Sequence, residues 1–542
     1  MAKSIHPDRL RKILDDGREY ALLDVRERGR FARAHLFLAI NLPLSHLELR
    51  MRRYVPRYTT RVLLCDDDSG LAARAARTME AAGYTDVSTI EGGVYNCTGS
   101  GFELFRGHYV TTYAFGLYVD QHYHPPRISP DELSTRMDSG EKLIVVDSRT
   151  EDEFRGGSIP GAINVPLGEL PYRIHDLVSE PGTPVVVGCG AVTRGVLGGE
   201  SLIEAGLDNP VLVLTNGVRG WELAGHPSEA GSKLVGQTPS AEAAALAAEA
   251  ARSLAVDTGV DSITPAVLDR WRADQDRTLY VVDVRTREEY EAGHLLDAIW
   301  IPGGELIGLY EDHIATMNAR ICLVDDDGAR ATLVASWLGR MGWPDVAVLN
   351  GGIHGHELTA GLRVEHIPES SRVDAAAMNP EDLSRRIQSE NILVLDFADS
   401  STYMLGHIPG AWWTLRSRLP DLVDDMPASD MLVATCPDSR LASLAARDLA
   451  DLTHRPVAVL TGGTEAWRVS GRSLATGLTR TLGDVDDAAA EFVVREGDDP
   501  VTVRAAQRRM LDWQGELLQI LQRDRTFSFP ELPVLSRPHH RK

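Results

Sequence analysis

Cysteine is scarce in this chain: five in 542 residues, at Cys65, Cys97, Cys189, Cys322 and Cys436, and no two form a Cys-x-x-Cys pair. That excludes a disulfide-built scaffold, a paired-cysteine zinc site and a thioredoxin-like motif, and leaves single-cysteine chemistry in a reducing cytosol as the natural reading. Also missing is any run of ~18 apolar residues, the length of a membrane span. The start, MAKSIHPDRLRKILDDG, has basic residues with no apolar segment behind them, so no secretory signal is expected. Long basic clusters before the tail are absent too, and 56 basic against 78 acidic side chains leave a net charge of −22. Such a chain repels phosphate backbones, so neither nucleic acid nor a membrane is an expected partner. What it does have is ordinary globular composition, 43% hydrophobic and 25% charged, over a length that suits about three to five domains.

Four segments carry an apolar run ending in Asp: ALLDVRE at Asp24, IVVDSRT at Asp147, YVVDVRT at Asp283 and LVLDFAD at Asp396. Each is followed by a second apolar run, an Ala-rich helical stretch and a third run closing on a Gly turn: EGGVYNC, TNGVRGW, NGGIHGH and TGGTEAW. From each Asp to Gly93, Gly217, Gly352 and Gly463 the spacings are 69, 70, 69 and 67, which marks four homologous domains. Short β-branched runs alternating with helical patterns predict, in each copy, an open parallel sheet with helices on both faces, an α/β fold. Ligands of such sheets bind at the carboxyl ends of strands, so the loop before each Ala-rich helix is where chemistry is expected.

The spacing divides the chain into domains at 5–123, 124–230, 258–365 and 374–475. Residues 231–257 form a linker containing AEAAALAAEAARSLA, a strong helix former that connects the halves or packs on the second domain. The tail, 476–542, contains one amphipathic helix with Leu511, Trp513, Leu517, Leu518 and Leu521 as buried candidates, and LSRPHHRK at its end is expected to fray.

The Asp-x-Arg after the first strand, the turns GHIPGAW (Gly406–Trp412) and SIPGAINVP (Ser158–Pro166), the cysteine-led loop and the Gly-Gly-x-x-x-Trp close together resemble rhodanese-like sulfurtransferase domains. The resemblance covers about residues 5–475 in four copies and is similar to tandem multi-rhodanese sulfurtransferases of bacteria. It implies the rhodanese-like α/β fold and sulfur transfer, although copies lacking the cysteine are common in that family.

The four loops differ in what they can do. In VVVGCGAVTRGVLGGE, Cys189 ends a strand, and Gly190, Ala191, Val192, Thr193, Arg194 and Gly195 lead into a helix. A thiolate there is stabilised by the helix terminus, and a small carboxylate-free loop can turn its N–H groups inward as an anion nest. Arg194 adds a fixed charge for an anionic substrate. In VLLCDDDSGLAARAA, Cys65 lies 28 residues before Gly93, as Cys189 lies before Gly217, but counted forward from Asp24 the nucleophile position falls on Asp66. On either count three aspartates repel an anionic donor. In ICLVDDDGARATL, Asp325 replaces the cysteine, Arg330 keeps the loop frame and Cys322 is a core residue of the strand. In LVATCPDSRLASLAA, Cys436 is a second candidate nucleophile, but Pro437 removes one N–H from the cradle, Asp438 adds negative charge and Arg440 follows at four positions instead of five. Cys97 fills the packing position of Trp221 and Trp467.

The expected reaction is sulfane-sulfur transfer in two displacements through a Cys189 persulfide, from a small anionic donor such as thiosulfate to a thiol, or to cyanide in an assay. No metal or organic cofactor is implied. Asp147 and Arg149 are expected to tie the strand end to its helix layer, not to touch substrate. Two rivals stand beside this reading. Cysteine-dependent phosphatases of the cell-cycle type share the fold but use Cys-x5-Arg, whereas Cys189 to Arg194 is Cys-x4-Arg. A binding or scaffold role suits the copies with damaged loops.

Overall fold

The computed structural model describes residues 3–178, 180–363, 368, 375–488 and 499–534. Each repeat contributes five strands to a sheet on the same plan, the last of the five lying beside the first, and the order from one edge being first, fifth, fourth, second, third. In the second domain these strands are Arg127–Ile128, Val211–Leu214, Val185–Gly188, Ile144–Asp147 and Ile163–Asn164, all paired in parallel. After the third strand the chain crosses to the far side of the second. The carboxyl ends of Ile144–Asp147 and Val185–Gly188 therefore flank the switch point, where diverging connections leave a crevice.

Alternation along the strands explains why both faces are covered. In the fourth domain, Leu393 and Leu395 of the strand Ile392–Asp396 pack with the helix Arg440–Leu452, while Val394 packs with Leu383, Tyr403 and Trp467 on the opposite face. Side chains two apart share a face, so a continuous apolar run supplies two cores at once.

The chain divides into two compact units: Met1–Lys12, Ala21–Gly107 and Glu365–Val493 in one, Ile13–Tyr20, His108–Val364 and Val494–Lys542 in the other. The first thus joins the first and fourth repeats. Arg416 makes a two-pronged pair with buried Glu48 at 2.6 and 2.8 Å, and Ser45 and Ser417 both donate to Glu27 at 2.6 Å. The second unit joins the second and third repeats through Trp337 Nε1 to Ser201 Oγ (2.9 Å) and buried Arg340 to Glu204 (2.8 and 3.0 Å).

One sequence expectation, that the linker helix packs on the second domain, is met and extended, and two need correction. The linker helix runs Ala241–Thr258 and packs on both domains of its unit, with Ala247 and Ala251 against Ala329 of the third domain and Tyr172 of the second. The helix Val110–Tyr123, assigned by spacing to the first domain, instead packs on the helix Thr193–Glu204 of the second: a β-carbon at Gly116 would stand 2.6 Å from the Thr193 side chain. The tail helix, Pro500–Asp524, is capped by Asp499, which accepts from the N–H groups of Val501 and Thr502. Of its expected buried positions Trp513, Leu517 and Leu521 are buried, but Leu511 and Leu518 are only half-buried. Ala506, Gln507 and Gln514 complete the stripe, with Gln507 donating to Glu222 of the second domain. LSRPHHRK lies outside the described residues.

Candidate active site

The strand Val185–Gly188 delivers Cys189 to the switch point, and the loop after it enters the helix Thr193–Glu204. The closing turn of the repeat clamps the loop from behind. Val218 N–H donates to Cys189 O at 2.8 Å and Arg219 N–H to Gly190 O at 3.2 Å. Asn216 and Gly217 sit at φ +59° and +54°, and a β-carbon on Gly217 would overlap the Cys189 carbonyl, which is why the turn ends on glycine. Ser148 fixes the strand end by donating through both N–H and Oγ to Gly188 O at 2.9 Å.

Cys189 is only 3% exposed. Burial pushes its thiol above the ordinary range, and the Arg194 charge and the N–H groups of Ala191 and Gly195 pull against that without overcoming it. This corrects the expectation of a depressed thiol: the loop favours negative charge on sulfur, but desolvation outweighs it.

Arg194 also differs from expectation. Its Nη1 and Nη2 donate to the two oxygens of Glu153 at 2.6 and 2.7 Å. Burial raises the Glu153 carboxyl, but Arg194 outweighs it and holds the group at about 2. Glu153 closes the capping box of the helix Glu151–Gly156 with Thr150, so this pair ties two helices together across the loop. The third domain repeats the arrangement with Arg330, Glu289 and Thr286, although Asp325 replaces the cysteine there. The pair belongs to the frame, and both terminal nitrogens of Arg194 are committed. Arg149 is committed as well, to Asp147 at 2.7 Å and Gly157 O at 2.6 Å, as the sequence suggested.

One backbone contact aligns the four loops. Gly195 N–H reaches Cys189 Sγ, and six residues past each equivalent position Ala72 N–H reaches Asp66 (3.0 Å), Ala331 N–H reaches Asp325 (2.9 Å) and Ala442 N–H reaches Cys436 Sγ (3.3 Å). Asp66 therefore holds the nucleophile position in the first domain, and Cys65 is the last residue of its strand, its thiol donating to Leu23 O. Asp325 is raised by burial to about 6, and Cys322 inside its strand to about 12. Cys436 is pushed up to about 12 by burial, and its thiol donates to Asp438. In that domain Ala398 stands where the other copies have arginine, and Asp396, which accepts from Ala398 N–H (2.9 Å) and Thr464 Oγ1 (3.5 Å) in place of a guanidinium, is raised by burial to about 7.

Two residues at the Cys189 loop escaped the sequence reading. Arg219 lies over the loop, its Nη1 3.3 Å from where a Gly190 β-carbon would stand. Aligning the closing turns would have found it, because Tyr95, His354 and Glu465 occupy that position elsewhere. Tyr113, on the helix Val110–Tyr123, shares the electrostatic surroundings of Cys189, Arg194, Arg219 and Glu153. It lies outside the repeat and carried no signal. Among the described residues no cluster of three or more His, Cys, Asp or Glu side chains could hold a metal ion, and no helix is long and apolar enough to cross a membrane.

Repeated parallel sheets, with a loop at the switch point that is led by cysteine in two of the four copies, define a class of α/β domains. A family model for the rhodanese-like domain matches residues 6–99, 129–224, 264–357 and 379–470, more than half of the chain, and the chain belongs to that family. The crystal structure of a thiosulfate sulfurtransferase from Pseudomonas aeruginosa is similar over 97% of this chain and 99% of that one, with 38% identity and a TM-score of 0.92. A sulfurtransferase of Allochromatium vinosum is 30% identical over 100 residues, 18% of this chain and 91% of that protein. An HTH-type transcriptional regulator of Mycobacterium tuberculosis is 32% identical over 105 residues, 19% of this chain and 45% of that protein. The chain spans about half the length of the first curated relatives it matches. Sulfur transfer is the activity named for the similar proteins of Pseudomonas aeruginosa and Allochromatium vinosum.

Proposed function

We propose that the second domain moves sulfane sulfur from thiosulfate or a similar small anionic donor to a thiol acceptor through a persulfide on Cys189, in the cytoplasm. The observation that carries this reading is the convergence of the Ala191 and Gly195 N–H groups on a cysteine placed at the switch point. The Cys189 thiol loses its proton and its sulfur attacks the outer sulfur of thiosulfate. The S–S bond of the donor breaks, its electron pair leaves on sulfite, and the new S–S bond leaves a persulfide anion on Cys189. The loop N–H groups stabilise that anion, which carries its charge one atom further into the nest than the thiolate does. A thiolate acceptor then takes the outer sulfur and returns Cys189. Gly190 to Gly195 form the cradle, and Arg194 acts from its Glu153 pair as a fixed positive charge. The first and third domains, with Asp66 and Asp325 at the nucleophile position, hold the architecture, since a carboxylate cannot carry sulfane sulfur. Cys436 remains a second candidate nucleophile.

Incubation with thiosulfate should add one sulfur to the Cys189 peptide by mass spectrometry, and Cys189→Ser should remove nearly all thiosulfate:cyanide activity while Cys322→Ser changes little. More than half the rate surviving in Cys189→Ser would sink the assignment. Phosphatase activity that depends on Cys189, with no sulfur loading, would favour the rival chemistry.

A further inference from the structure

Three arginines surround the Cys189 loop, and two are already committed: Arg149 to Asp147 and Gly157 O, and Arg194 to Glu153. The third is Arg219. Among the described residues its guanidinium makes no hydrogen bond or ion pair. Its backbone is anchored by its own N–H donating to Gly190 O, and its Nη1 lies 3.3 Å from where a β-carbon on Gly190 would stand. The stem of Arg149 flanks the same glycine, its Cδ 3.6 Å from where a β-carbon would be, so any larger side chain at 190 would push between the two arginines.

Tyr113 meets this group from outside the repeat. Its helix is pressed onto the start of Thr193–Glu204 at Gly116, and its ring stands edge-to-face against Trp513 of the tail helix, centroids 5.7 Å apart at 87°. Its hydroxyl makes no hydrogen bond among the described residues. Burial raises it above its ordinary value, so at neutral pH it is a donor and carries no charge.

We propose that Arg219, assisted by the Tyr113 hydroxyl, binds the oxyanion end of the donor and makes the second domain selective for compact, sulfonate-bearing sulfur donors; this rests on the reading that Cys189 takes up sulfane sulfur. A planar guanidinium offers several donors to a sulfonate, and Arg219, unlike Arg194, need not release a carboxylate to do so. The fourth domain supplies an internal contrast. There Glu465 N–H donates to Pro437 O at 3.1 Å, just as Arg219 N–H donates to Gly190 O, so Glu465 is the register equivalent of Arg219. Glu465 turns its carboxylate to Arg468 at 2.5 and 2.8 Å, so this position holds no guanidinium over the Cys436 loop, and the proposed anion contact belongs to the second domain.

The test measures the two half-reactions separately in the full chain: loading of Cys189 by thiosulfate, followed by mass spectrometry, and discharge of the preloaded persulfide by dithiothreitol. Loss of a charge-assisted bond in Arg219→Gln should lower the second-order rate of loading by about 10- to 100-fold. Discharge by the neutral dithiol should stay within about twofold, since loss of one anion contact does not touch it. Arg219→Lys should recover part of the loss, and Tyr113→Phe should lower loading more modestly. Loading by a polysulfide, which has no sulfonate, should change little in Arg219→Gln. Wild-type loading by thiosulfate with unchanged kinetics in Arg219→Gln and Tyr113→Phe overturns this proposal alone. Equal loss of loading from thiosulfate and polysulfide makes Arg219 a structural residue and overturns it too. If the wild-type chain takes sulfur from neither donor, the reading of Cys189 fails and this proposal with it.

Discussion

Gly217 and Gly352 offer a matched pair of perturbations in one compact unit. They sit at φ +54° and +55°, and a β-carbon on either would overlap the carbonyl of the residue at the nucleophile position, Cys189 or Asp325. The next N–H donates to that same carbonyl, Val218 to Cys189 O at 2.8 Å and Ile353 to Asp325 O at 3.0 Å. An alanine in this left-handed region costs about 1–2 kcal/mol. Relieving the overlap also displaces the carbonyl and breaks its buried hydrogen bond, worth about 1–3 kcal/mol. Gly217→Ala and Gly352→Ala should therefore each destabilise their domain by about 2–5 kcal/mol, a large part of the 5–15 kcal/mol of a typical domain. The functional consequences should separate. Displacing the Cys189 carbonyl moves the nucleophile within its cradle, and a shift of about 1 Å can lower the rate about 100-fold. The equivalent shift in the third domain moves a carboxylate with no part in the proposed reaction. Urea unfolding of both variants, with thiosulfate loading of Cys189 measured well below the transition, tests this. Wild-type loading in Gly217→Ala, or abolished loading in a folded Gly352→Ala, would refute the reasoning.

Removing Arg194 takes away one of the influences that oppose the burial of Cys189, so in Arg194→Ala the pH profile for alkylation of Cys189 should move to higher pH; an unchanged profile would show that Arg194 does not act on the thiol. Asp396 is raised by burial to about 7 against an unfolded value near 3.8, so the folded state holds a proton that the unfolded state has lost between those values. Stability of the fourth domain should thus fall as pH rises from about 4 to about 7, and Asp396→Asn should flatten that slope. Parallel pH dependences for variant and wild type in chemical denaturation would contradict it.

Much of this molecule is written locally. Strand runs such as VVVG and YVVD, the helix-forming stretches between them and the glycine turns recur at near-constant spacing, so the four domains, their parallel sheets and the loop carrying Cys189 were legible by comparing the chain with itself. The Asp-x-Arg pair was legible for the same reason, because Asp147 and Arg149 are two residues apart and meet within one turn. The register of the first domain was not, since counts from either end differ by one residue, and only the hydrogen bond from Ala72 to Asp66 decides it.

The remainder depends on groups that meet only after folding. Arg194 looked available because its partner, Glu153, lies 41 residues away on another helix. The Cys189 thiol looked activated because a loop and a helix terminus can be read from sequence, whereas the burial that outweighs them depends on everything packed around the sulfur. Tyr113 comes from a helix with no counterpart in the repeat, so periodicity could not find it. The pairing of the first repeat with the fourth, and of the second with the third, rests on pairs such as Arg416 with Glu48 and Arg340 with Glu204, which are 368 and 136 residues apart. A repeat specifies its own sheet through short-range pattern, but which copies share an interface, and which charges are spent there, is decided by the surfaces that the finished domains present to one another.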